Sequence, residues 1–162
     1  MTPKPTEVRL ARHGDEELLF ALICESDEEW SLGPRDDEKV RDVIGMATMG
    51  GPPPRPVFGV VPGPSILEGA VGMFPTEPWN STEPYIRVFF HFVNPMYRRS
   101  RHAVHLAQFA KWFGDCAGMP VIFELLHPER TEAKAAMYRR QADPIGGLFI
   151  HGTPAAAKAA AA

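Results

Sequence analysis

The stretch from Tyr85 to Gly118, YIRVFFHFVNPMYRRSRHAVHLAQFAKWFGDCAG, constrains the fold more than any other part of the chain. Its first nine residues are mostly aromatic and β-branched and read as a strand. Pro95 interrupts that run, and from Arg98 the pattern turns helical. Leu106, Phe109, Ala110, Phe113 and Ala117 are spaced for one buried helical face, and Gly118 is placed to end it. A strand that feeds directly into a long amphipathic helix needs a sheet for that helix to cover. The junction also gathers Arg98, Arg99, Arg101, His102 and His105, although the formal net charge of the chain is −3. The first turn of a helix leaves backbone N–H groups without intrahelical partners, and the helix dipole adds partial positive charge there. Such a junction suits a pyrophosphate, held by amides in a concave nest and by arginines through charge-assisted bonds. The competing reading is a basic helix start whose arginines are solvated or paired with carboxylates.

The rest of the chain supplies the sheet. At 162 residues, 44% of them hydrophobic, one domain is expected over residues 1–153, with an alanine-rich tail at 154–162 that has no amphipathic pattern to dock. Glu7–His13 alternates polar and apolar residues as a strand does. Leu18, Leu19, Leu22 and Ile23 then form a helical stripe with Asp15 as its cap. A second helix is expected over Asp36–Met49. Strands starting at Val57 and Ile66 flank the turn sequence PGPS and predict a hairpin. PVIFELL from Pro120 is nearly continuous apolar sequence, which predicts a strand covered on both faces. A short helix capped by Thr131 and a last strand, GGLFIHG, complete the order. Consecutive strands in the middle and alternation at the end predict a mixed α/β sheet with helices on both faces.

Composition excludes several classes. The negative net charge argues against a general nucleic-acid binder, and no aromatic residues interleave the arginines as stacking platforms. Cys24 and Cys116 have no CxxC spacing, and His102 and His105, at i and i+3, lack a third ligand, so no disulfide framework and no metal site are expected. No signal region opens the chain, and no run approaches the roughly 18 apolar residues of a membrane span. A cytoplasmic protein with no membrane partner is the expectation.

At the junction the sequence resembles the GCN5-related N-acetyltransferases. Their hallmark is a strand ending in Val-x-Pro, then Arg or Gln, two variable positions, Gly, one variable position, and Gly or Ala opening a helix with Leu three positions on. Val93, Pro95, Arg98, Ala103 and Leu106 fall on the matching places, whereas Arg101 stands where the first glycine would be. The arginine-rich YRRSRHA is similar to the phage and prophage branch of that superfamily. TEAKAAMY aligns with the family's Asn-x-x-Ala-x-x-Leu-Tyr, with Thr131 for Asn, Lys134 for Ala, Met137 for Leu and Tyr138 for Tyr. QADPIGGLF is a shifted version of the family's Gly-Phe turn.

The resemblance implies a mostly antiparallel sheet whose fourth and fifth strands splay apart, and acetyl-CoA as co-substrate. The pantetheine arm would bond to backbone at His91, Phe92 and Val93. The pyrophosphate would sit on the amides of Arg99, Ser100, Arg101, His102 and Ala103, with Arg98 and Arg101 as charge partners, and Thr131 would join the cofactor site. It implies direct attack by a primary amine in a ternary complex, with Tyr138 protonating the leaving thiolate. Otherwise Tyr138 is a core residue whose hydroxyl is satisfied internally. Three residues compete for general base: His91, Glu124 and His127. A carboxylate in an apolar strand would be desolvated and its pKa raised, unless Glu124 sits at a sheet edge or pairs with an arginine. The acceptor pocket would be built by the first two helices and the acidic ESDEEWSLGPRDDE around Trp30, which fits a cationic small molecule or protein lysine, or is simply a solvated face. A non-catalytic CoA- or protein-binding module with the same fold, in a phage setting, is the rival function. A homodimer is expected by analogy with the family.

Overall fold

The computed structural model describes residues 1–29, 33–50, 54–125 and 131–144. Trp30, His127, the expected last strand and the alanine-rich tail lie outside them. The elements are β1 (Arg9–Leu10), α1 (Glu16–Glu29), α2 (Asp37–Thr48), β2 (Val57–Pro62), β3 (Leu67–Thr76), β4 (Tyr85–Val93), a 3-10 turn (Pro95–Tyr97), α3 (His102–Ala117), β5 (Val121–Phe123) and α4 (Thr131–Arg139). The strands form one sheet in the order β1-β2-β3-β4-β5. The first three pairings are antiparallel, and β5 joins β4 in parallel. The mixed sheet and its mostly antiparallel pairing match the expectation. No helix among the described residues is long and apolar enough to cross a membrane.

Alternation along the strands divides the core into two layers. On one face Leu19 and Leu22 of α1 and Ile44 of α2 pack with Phe58, Val60, Ala70 and Phe92. On the other, Leu106, Phe109 and Ala110 of α3 pack with Val61, Val71, Met73, Ile86 and Val88. Each of these larger side chains contributes about 1.5–3 kcal/mol by leaving water. The expected α1 stripe is present, with Leu19 and Leu22 buried and Leu18 and Ile23 packed against them.

Local chemistry sets the element ends. Asp36 caps α2 by accepting from the Lys39 amide at 3.0 Å. Gly118 ends α3 in the left-handed region, at φ 65°, where a side chain would be strained. Asp15 precedes α1 as expected, but its carboxylate is directed elsewhere. It takes two bonds from Arg9, at 2.6 and 2.9 Å, and one from the Arg12 amide.

Several boundaries differ from the sequence reading, the first strand among them: of the expected Glu7–His13 only Arg9–Leu10 pairs as β1. α3 begins at His102, not Arg98, because Asn94 accepts from the Met96 amide at 3.0 Å and Pro95 opens a tight 3-10 turn before the helix. β5 has three residues, all partly exposed, and is the last strand of the sheet among the described residues. Its residues are therefore less buried than a continuous apolar run suggests: apolar composition alone does not fix how deeply a strand is covered.

Candidate active site

One irregularity in β4 decides where its side chains go. Gly72 of β3 faces Phe90, and Met73 faces Val88, so Phe89 is an extra residue with no register partner. This β-bulge shifts the alternation by one. Ile86 and Val88 point into the α3 layer, Phe89, Phe90 and Phe92 into the α1 layer, and His91 emerges with Val93 on the α3 side. Gly72 makes the bulge possible: a Cβ there would lie 2.8 Å from both the Phe58 and the Phe89 rings. Pairing between β4 and β5 runs only from Ile86 to Val88. Beyond Val88 the outer edge of β4 has no strand partner among the described residues. A cleft of about 210 Å³ opens there, with Glu29, His91, Val93, Arg98, Lys134 and Met137 among its walls.

α4 closes one side of this cleft and engages a single β4 residue twice. The Tyr138 hydroxyl and His91 Nδ1 are 2.5 Å apart, and the Lys134 ammonium donates to the His91 carbonyl at 3.1 Å. Lys134 and Tyr138, at i and i+4, share one helix face. Tyr138 is 7% exposed and stacks on Phe123 with ring centroids 4.7 Å apart. Burial raises its pKa, so the phenol keeps its proton. Burial first, and the nearby Lys134 charge second, depress His91 to a pKa of about 3, with the Ala103 backbone opposing. The imidazole is therefore neutral, and one hydrogen bridges its Nδ1 and the phenol oxygen. His91 Nε2 is buried with no hydrogen-bond partner.

The junction is wired to its surroundings. Arg98 forms an ion pair with Glu29 at the end of α1 and stacks over Phe92, while Asn94 donates to Glu25 at 2.7 Å. Two of the five amides expected to face a pyrophosphate are spent internally: Ser100 N–H on the Tyr97 carbonyl and His102 N–H on the Ser100 hydroxyl. Those of Ala103 and Val104, in the first turn of α3, have no intrahelical acceptor by position. Arg99 and Arg101 are exposed. His102 pairs with Glu68 at 2.6 Å, and His105 lies 3.7 Å from Glu7. Among the described residues no group of three or more His, Cys, Asp or Glu could hold a metal ion.

The structure thus brings His91, Phe92, Val93, Arg98 and Ala103 to one cleft, with Tyr138 bonded to His91 behind its wall and lining a neighbouring cavity with Val121, Phe123 and Leu125. Thr131 is exposed at the start of α4. Glu124 is not a cleft residue: its carboxylate takes two bonds from Arg87, at 2.5 and 2.9 Å. This is the pairing with an arginine that the sequence reading left open. His127 falls outside the described residues. Two residues that the sequence reading did not select, Glu29 and Lys134, stand in the cleft wall. The signal for Lys134 was its spacing of four from Tyr138; Glu29 belonged to the acidic run around Trp30, but its pairing with Arg98, 69 residues away, had no local signal.

No protein-family profile matches the chain, and no curated protein sequence matches it. Solved structures do. AAC(6')-Iy in complex with the bisubstrate analog CoA-S-monomethyl-acetylneamine superposes with a TM-score of 0.69 at 13% identity, covering 90% of this chain and 96% of that one. An aminoglycoside acetyltransferase from an uncultured soil metagenomic sample, meta-AAC0020, gives 0.66 at 14%, covering 90% and 94%. A ribosomal-protein-alanine N-acetyltransferase from Brucella melitensis biovar Abortus 2308 gives 0.67 at 12%, covering 91% and 100%. These neighbours lend no support to a phage or prophage branch. A sheet with one parallel pairing, opened beside a bulged fourth strand and overlaid by a helix carrying a buried tyrosine, is the fold of the GCN5-related N-acetyltransferases.

Proposed function

We propose that the protein transfers an acetyl group from acetyl-CoA to a primary amine, by direct attack of the amine within a ternary complex. The observation that carries this reading is the Tyr138–His91 pair at the end of β4, beside the basic α3 junction. The residues fit the co-substrate. The edge of β4 beyond Val88, without a strand partner among the described residues, offers backbone groups to the amides of a pantetheine arm, and the Ala103 and Val104 amides with Arg98 offer an anion site. A thioester supplies an activated acyl carbon and a thiolate leaving group.

The chain's own residues supply the rest. Tyr138, kept protonated by burial, donates its hydroxyl hydrogen to the departing sulfur. His91, neutral, positions the phenol, and in the tautomer that carries its proton on Nδ1 it stabilises the oxygen as the phenol proton leaves. Burial has removed His91's usefulness as a base, and Arg87 occupies Glu124, so in this reading the amine loses its proton to water. Backbone N–H groups at the Phe89 bulge stabilise the developing oxyanion. The acceptor enters beside the end of α1, where Asp27, Glu28, Arg35 and Asp37 line a second recess of about 400 Å³. Burial raises the Asp27 carboxyl pKa, Arg35 partly offsets this, and a cationic amine would restore the charge.

The reading is tested by a thermal-shift titration with CoA, followed by thiol release from acetyl-CoA across polyamines, aminoglycosides and lysine peptides. Stabilisation by CoA with thiol release for at least one amine is expected. Stabilisation with no release for any amine would support a CoA-binding module that has kept the fold without the reaction. No stabilisation would overturn the assignment of the cleft.

A further inference from the structure

α4 places a nucleophile in the wall of the cleft and an acid just behind it. Lys134 Nζ, in the cleft wall, is bonded to the carbonyl of the same residue whose imidazole meets the Tyr138 hydroxyl, so the amine and the phenol contact one residue of β4. We infer that Lys134 is itself an acyl acceptor, a self-acylation site in the wall of the cleft that takes the acyl group of an acyl-CoA. The inference rests on the acyltransferase reading above. If Tyr138 protonates the leaving sulfur, the thioester carbonyl carbon lies one C–S bond from that sulfur. Lys134 carries a flexible four-carbon stem. A short swing from the His91 carbonyl takes its nitrogen to that carbon, and proximity of this kind raises the rate well above that of a free lysine.

The step is balanced without a further reactant. The ε-ammonium loses a proton to water, and the neutral amine attacks the carbonyl carbon, forming an N–C bond. The attacking nitrogen, positively charged once the bond has formed, gives a second proton to water; the C–S bond breaks, and the thiolate leaves with its electron pair and takes the hydroxyl hydrogen of Tyr138, which water restores with that second proton. The products are an ε-N-acyl-lysine and CoA thiol. The modified residue has lost its charge but keeps one N–H for the His91 carbonyl, so the cleft wall remains closed by a neutral group. The other described lysines are placed differently: Lys4 lies over Trp112, Lys111 donates to the Gln141 carbonyl, and Lys39 is exposed on α2.

The test uses the full chain with acetyl-CoA and no added amine, read by peptide mass spectrometry over time. Exposed Lys39 in the same digest serves as the internal reference for uncatalysed acetylation. Lys134 is expected to gain one acetyl group at least about tenfold faster than Lys39, and Lys134→Arg to abolish the fast phase. CoA stabilisation is measured on the same samples. Equal labelling of Lys134 and Lys39 with CoA stabilisation intact would overturn this inference and leave the acyltransferase reading standing. Loss of both would overturn the two together.

Discussion

Replacing His91 by asparagine should change how stability depends on pH, and the size of the change follows from burial. The folded pKa of His91 is depressed from 6.5 to about 3, chiefly by desolvation. As pH falls below 6.5 the unfolded chain takes up a proton at this residue and the folded chain does not. The stabilisation is therefore complete above the unfolded value and declines towards the folded one, by about 1.4 kcal/mol per pH unit. Between pH 7 and pH 5 this amounts to about 2 kcal/mol. In His91→Asn that dependence is absent, while loss of the bond to Tyr138 costs about 1 kcal/mol at every pH. Urea denaturation of both proteins at pH 7, 6 and 5 measures the difference. Asp15, Glu7 and Asp115, whose carboxyl pKa values are lowered, act below this window, and Asp27 is common to both proteins. Parallel pH profiles for the two proteins would refute the claim that His91 is buried and neutral.

Other consequences are read from the ion pairs. Arg98→Ala should weaken CoA binding by about 1–3 kcal/mol with little change in fold stability, measured by calorimetry. Glu29→Gln releases the same guanidinium from its carboxylate and should strengthen CoA binding, by about threefold to tenfold, so the two variants move affinity in opposite directions. Glu124→Gln breaks a partly exposed pair with Arg87 and should cost about 0.2–1 kcal/mol of stability while the pH dependence of turnover stays as in the parent protein.

Much of this architecture was legible in the chain because it rests on local signals. The extent of α2 from Asp36, Gly118 as a stop, the Leu106–Phe109–Ala110 stripe and the span of β4 all follow from side-chain chemistry or periodicity within a few residues. The start of α3 was misread because basic residues are compatible with either a helix or a turn, and the Asn94–Met96 bond decided between them. The cleft was harder. Which face His91 presents depends on the Phe89 bulge, and the bulge depends on Gly72 in another strand. Glu124 drew attention as a carboxylate among apolar residues, yet Arg87, 37 positions earlier on the neighbouring strand, satisfies it. Glu29 and Lys134 entered the site through partners 69 and 43 residues distant, a separation at which no spacing rule operates.

The central claim is that the cleft beside β4 carries out acyl transfer with Tyr138 as its acid, and Tyr138→Phe tests it most directly. The ring and its stacking on Phe123 are kept, and only the hydroxyl is lost. With an amine found by screening, turnover with acetyl-CoA is predicted to fall roughly tenfold to a thousandfold while CoA affinity hardly changes. Equal turnover in the two proteins, at equal CoA affinity, would contradict the account.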